Sequence, residues 1–138
     1  MLVAEIAAFL DTEGMGVYDP TGITGNVFIC TMPATPDTAI AVYPRPGLAA
    51  DGKLKYDTPG VQIVARGTQD PTVGEQLATD IYNALHGFHD GVFVAGGVYI
   101  VNCLGLQSGP NHLGRDDNGR HEYSLNFQIT VSNEDRRN

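Results

Sequence analysis

The sequence predicts an α+β fold, a mixed, mainly antiparallel sheet with two helices packed on one face. Three observations predict it. Two segments, one at the start and one ending near Leu85, repeat apolar residues at helical spacing. A segment near the end alternates apolar and polar residues as a half-buried strand does. Between these lie short runs of β-formers bounded by glycine and proline.

The first helix follows from Leu2, Ile6, Phe9 and Leu10, with Val3 and Ala7 beside them on one stripe. Gly14 and Gly16 offer the left-handed conformations that end a helix, and Asp19-Pro20-Thr21-Gly22 is turn chemistry. Asn26 to Cys30 and Ala39 to Tyr43 read as short strands. The two prolines of the intervening MPATPDTA prevent a helix or a central strand there. Pro44 to Pro59, with its prolines, glycines and mixed charge, reads as a long exposed loop or extended arm, a place for contacts.

Val61 to Gly67 predicts a strand with Val61, Ile63 and Ala65 on one face and Gln62, Val64 and Arg66 on the other. Asp70-Pro71-Thr72 opens the clearest helix, since proline suits the first helical position and Thr72 stands at capping-box spacing from Glu75. Val73, Leu77, Ala78, Ile81 and Leu85 form its stripe, and Gly87 stops it. Val92 to Val94 and Val98 to Leu106 read as a hairpin around Ala95-Gly96-Gly97. A polar loop, Gln107 to Gly119, precedes the last strand. There Tyr123, Leu125, Phe127, Ile129 and Val131 face the core, and Ser124, Asn126, Gln128 and Thr130 face away. The expected organisation is one domain over residues 1–131 and a flexible tail over 132–138.

The net charge of −8, with 16 acidic and 8 basic side chains, argues against gripping a phosphate backbone. It suits a protein that lies beside nucleic acid without sticking to it. Cys30 and Cys103 sit in apolar runs and read as buried, reduced thiols, with a disulfide between adjacent strands as the alternative. The opening MLVAEIAAFLDTEG has an acid at Glu5 and no basic n-region, unlike a signal peptide, and no stretch matches a membrane span. The expectation is a chain made and used in a cytoplasm.

No catalytic constellation assembles. His86, with His89 and Asp90 nearby, reads as a group interacting with the exposed carbonyls of a helix end, and His112 and His121 flank a loop, so no metal ligand set is expected. Ser108, Ser124 and Ser132 lack a nucleophile-elbow context, and the glycines match no phosphate loop. The segment Leu113 to Arg120 fails the EF-hand pattern. Asn118-Gly119 reads as a turn, with two readings open: a solvated turn, or a contact loop held by local ion pairing among Arg115, Asp116 and Arg120.

Four stretches in order, PDTAIAVYPRPG, PGVQIVARG, ATDIYNALHG and LGRDDNGRHEYSLNFQI, resemble bacteriophage minor capsid and tail-terminator (tail-completion) proteins over roughly residues 2 to 131. The last carries most of the weight. The resemblance implies a tail-terminator-like fold and a ring, typically a hexamer, seated on the last ring of the tail tube. Such a ring halts tube polymerisation and meets the neck proteins, with DNA passing through its lumen. It implies no catalysis and no cofactor. In that frame Arg45, Lys53, Lys55, Arg66, Arg115, Asp116 and Arg120 are candidate neighbour contacts. Gln62, Ser124, Asn126, Gln128 and Thr130 form a strand face that is exposed or turned to the lumen. Another head–tail connector or neck completion protein is the nearest alternative, and a small-molecule-binding α+β domain is the alternative from a different class.

Overall fold

Helix α1 (Leu2–Thr12) buries Val3, Ile6, Ala7 and Leu10, the one stripe its spacing predicts, in the computed structural model, which describes residues 1–50 and 52–133. Strands β1 (Val27–Ile29), β2 (Ala39–Leu48) and β3 (Tyr56–Arg66) follow. Helix α2 (Pro71–Leu85) separates them from β4 (His89–Gly91), β5 (Ile100–Gly105), β6 (Asn111–Arg115) and β7 (His121–Ser132). The sheet runs β1-β2-β3-β7-β5-β4, and β6 pairs with the part of β7 that β5 leaves open. Among the described strands the β1–β2 pair is parallel and the other five pairs are antiparallel, so the sheet is mixed and mainly antiparallel as predicted.

One hydrophobic cluster joins both helices to one face of the sheet: Ile6, Leu10, Ile81 and Leu85 meet Ile40, Ile63, Leu125, Phe127 and Ile129. Each such side chain, taken from water to full burial, contributes about 1.5–3 kcal/mol, which makes this cluster the main support of the fold. Phe9, Phe88 and Phe93 close its end, with ring centroids 4.6–5.5 Å apart.

Several sequence expectations are corrected. Pro44 to Pro59 is not a loop. β2 continues to Leu48 and pairs antiparallel with β3, Pro44 opposite Val61 and Leu48 opposite Thr58 across a bulge. β1 ends opposite Val42, so among the described residues no strand neighbours the outer edge of β2 beyond it, and an edge tolerates residues without an N–H. Of the connection, residues 49–50 and 52–55 lie past the last β3–β7 pair, Tyr56 with Ser132.

The α2 cap is Asp70 rather than Thr72, its carboxylate accepting from the Thr72 N–H and hydroxyl at 2.9 and 2.8 Å. Val73 points outward, and Gly74 takes the buried place because His121 and Tyr123 press against it. Val92 to Val94 is not a strand. Phe93 is drawn into the aromatic cluster, and β5 pairs instead with His89–Gly91. Inside the expected 107–119 loop, β6 adds to β7. Cys30 is exposed at the end of β1, while Cys103 is buried. β7 extends through Ser132, and the Asn133 side chain donates to Asp57 at 2.8 Å. The rest of the expected tail lies outside the described residues.

Candidate assembly surfaces

Three surface features gather the residues singled out above. The first is a pair of arginines that serve their own chain. Arg66, 3% exposed, donates through Nε to the Asp37 carbonyl at 2.9 Å and through Nη2 to that of Pro36 at 2.6 Å. Arg120, 6% exposed, donates to the Ala34 carbonyl at 2.6 Å and the Asp37 carboxylate at 3.1 Å. The loop over residues 34–37 is therefore clamped by two guanidinium groups from different strand ends. Burial, and then the positive Arg120 nearby, lower the pKa of Arg66. The Asp116 hydrogen bond raises that of Arg120.

Asp116 organises the β6–β7 turn. Its Oδ1 accepts from the N–H groups of Asn118 and Arg120 at 3.0 and 2.9 Å, and its Oδ2 pairs with the Arg120 guanidinium at 2.8 Å. Burial pushes this carboxyl up, but the Arg120 N–H and guanidinium outweigh it and hold it below the usual range. The local pairing read from the sequence thus joins Asp116 to Arg120 and leaves Arg115 out; Arg115 is exposed at the end of β6. Arg66 and Arg120 are therefore buried within their own subunit, against the reading of them as surface contact residues.

The second feature is the sheet face opposite the helices. Gln62, Asn126, Gln128 and Thr130 lie on it at intermediate exposure, with no helix of the described residues above them. Ser124 is the exception. It is 2% exposed, hemmed between Val64 on β3 and Asn111 on β6, so it is not part of an exposed face. Tyr43 stands over the same face beside Arg45, whose guanidinium lies 5.8 Å from the ring centroid and bonds to Gln62. Burial, and then the negative Glu122, raise the Tyr43 pKa.

The third feature is the β2–β3 hairpin, which carries Arg45, Lys53 and Lys55 together with exposed Leu48, Leu54 and Tyr56. Sequence reasoning found its basic residues and missed its apolar ones. The alternation Lys53-Leu54-Lys55 in an otherwise polar turn was the available signal.

Histidine chemistry differs from expectation. His86 Nδ1 accepts from the Gly105 N–H at 2.9 Å while its ring stacks on Tyr82, so it ties α2 to β5 rather than to its own helix carbonyls. His112 Nε2 and His121 Nδ1 lie 2.9 Å apart across β6 and β7, sharing one hydrogen bond. Among the described residues no group of three His, Cys, Asp or Glu side chains is placed to hold a metal ion. No helix among them is long and apolar enough to cross a membrane.

A small α+β subunit whose polar groups are spent on loop clamps, and whose surface offers an uncovered sheet face and an apolar-tipped hairpin, belongs by class with structural components that act through their surfaces. The family model of the bacteriophage tail terminator protein matches residues 9–133, and the chain belongs to that family. It is accordingly a structural component of the phage virion tail. No curated protein matches the chain.

Proposed function

We propose that copies of this chain form a closed ring, a hexamer, that caps the tail tube, stops its polymerisation and joins the tail to the neck proteins of the head. The observation that carries the reading is the family match, which spans the whole sheet and α2. The ring assembles in the host cytoplasm and ends in the virion neck.

The physical chemistry supports each part. A ring needs two different complementary patches on every subunit, and the uncovered sheet face and the far end of the hairpin are candidates for them. A lumen that conducts DNA must not hold it, and a net charge of −8 per subunit opposes phosphate binding. Gln62, Asn126, Gln128 and Thr130 then face a neighbour or the lumen, where uncharged polar groups bind weakly and stay wet. Arg45, Lys53, Lys55 and Arg115 supply cationic contacts.

Electron microscopy of the purified protein mixed with tail tubes tests the proposal. A ring on one end of each tube is the expected image, and tubes that keep growing with bare ends would overturn it. Hydrogen exchange at residues 124–130 should slow on assembly; unchanged exchange would remove that face from the contact.

A further inference from the structure

The geometry points to His112 and His121 as a two-toothed chelate for a divalent transition-metal ion of the copper or nickel kind, a clasp that holds β6 on β7. The site stands apart from the ring reading and from the loop clamp.

Placement is the first argument. β6 is a short polar strand whose pairing with β7 is broken by a bulge between His112 and Gly114. His112 lies opposite Tyr123, two residues from His121, so both imidazoles rise from neighbouring strands on one side of the sheet. The backbone beneath His121 is fixed, its N–H donating to the Thr68 carbonyl and its carbonyl accepting from the Gly67 N–H, each at 3.0 Å. The Tyr123 ring, 5.0 Å from that of His112, limits the swing of the other imidazole. The two histidine ring planes are 26° apart, so a small turn of either ring brings both lone pairs onto one ion.

Distance selects the ion. His112 Nε2 and His121 Nδ1 are 2.9 Å apart. Two imidazole nitrogens at this separation, each about 2.1 Å from one ion, subtend about 90° there. That is the angle between neighbouring ligands of an octahedral or square-planar ion, whereas a tetrahedral ion needs them about 3.4 Å apart. Copper(II) and nickel(II) therefore suit the pair better than zinc.

The hydrogen bond between the rings already requires one bare nitrogen facing one N–H. On chelation that proton moves to the far nitrogen of the same ring, both facing nitrogens become bare, and the neutral pair loses no proton overall. Acid releases the ion, because protons then compete for the same lone pairs.

The surroundings favour a cation. Glu75 lines the same hollow as His112, and Asp70 is within electrostatic reach of His121. Among the described residues no third side chain completes the set, and His112 is exposed, so water fills the remaining positions. An ion held only while β6 and β7 are paired stabilises that pairing.

Calorimetric titration of the untagged full chain with nickel chloride tests the assignment, in a Cys30→Ser background that removes the exposed thiol. One Ni²⁺ per chain is expected at neutral pH, and His112→Ala or His121→Ala should each weaken binding at least tenfold. His89→Ala, which removes an exposed imidazole elsewhere, should leave it unchanged. With Cu²⁺, electron paramagnetic resonance should show two imidazole nitrogens on the ion. Ni²⁺ should also slow hydrogen exchange over residues 111–115 in the intact chain and in neither single variant. Equal Ni²⁺ affinity in the intact chain and either variant, while circular dichroism shows folded chains, overturns the chelate. So does a Cu²⁺ spectrum with one imidazole nitrogen, a loss of binding in His89→Ala, or tighter binding of Zn²⁺ than of Ni²⁺. Exchange at 111–115 that Ni²⁺ leaves unmoved overturns the clasp.

Discussion

Arg120 places both Nε and Nη2 at 2.8 Å from the same carboxylate oxygen of Asp116, four residues earlier, while its Nη1 reaches across to the Ala34 carbonyl. One side chain therefore fixes the β6–β7 turn and half of the clamp on the 34–37 loop. Arg120→Ala should lower the melting temperature and speed hydrogen exchange in the loop over residues 34–37. Asp116→Asn should cost less, because an amide oxygen still accepts from the Asn118 and Arg120 N–H groups. Loss of order only at the β6–β7 turn, with the 34–37 loop unmoved, would refute the shared role.

Arg115 behaves as a surface residue on this geometry. Arg115→Glu should change stability by no more than about 0.5 kcal/mol, as exposed sites do. Any effect of this variant on assembly then reports on contact, whereas reversal at Arg120 reports mainly on folding. Thermal unfolding followed by light scattering separates the two.

Gly67 leaves β3 directly against α2, where a Cβ would collide with the backbone nitrogen of Gly74. Gly67→Ala should destabilise by about 1–3 kcal/mol through this overpacking. Gly52, with open space around it, should accept alanine with little change. Denaturant titration of both variants checks the contrast.

Phe127 is 1% exposed and lies 6.4 Å, ring to ring, from Tyr82 of α2. Phe127→Ala should cost about 3–5 kcal/mol, enough to unfold a marginally stable domain. A loss under 1 kcal/mol in chemical denaturation would mean that the helix–sheet layer is not the main support.

The two thiols should separate cleanly. Burial pushes the Cys103 pKa up to about 12, so it stays protonated and shielded, whereas Cys30 is exposed. Iodoacetamide at neutral pH should label Cys30 alone in the native chain and both after unfolding. Equal native labelling would contradict the packing of β5.

Asp19 gives a pH signature. The Thr21 hydroxyl, together with the Thr24 and Thr21 N–H groups and the Thr24 hydroxyl, holds its carboxyl below the usual carboxylate range. A depressed folded-state pKa adds stability above the unfolded value, about 3.9, and that stability is lost as pH falls through the folded value. Asp19→Asn should therefore flatten the acid limb of the stability curve below about pH 4 and leave neutral stability only slightly reduced, since the site is exposed to solvent screening. An unchanged acid limb would count against these hydrogen bonds.

Much of the fold was legible in the chain. The stripe of α1, the stop at Gly87 with its φ of 85°, and the alternation of β7 were all read from local pattern, because helical and strand periods are set over a few residues. The β2–β3 hairpin was not legible. Prolines at 44 and 46 say loop, and they are acceptable in β2 because β1 pairs with it only as far as Val42 and leaves an edge beyond. β4 and β6 were equally hidden, since short polar segments such as HDG and NHLGR become strands only when a partner edge is present.

The candidate surfaces divide the same way. From the sequence alone came the acidic balance, the basic residues of the hairpin and the near-neutral polar side of β7, because composition and alternation do not depend on distant contacts. The tertiary structure decided which of those groups have surface left to use. Burial of Arg66, Arg120 and Ser124 depends on loops and strands far away in sequence, and a polar side chain goes inside only when such partners meet its hydrogen bonds.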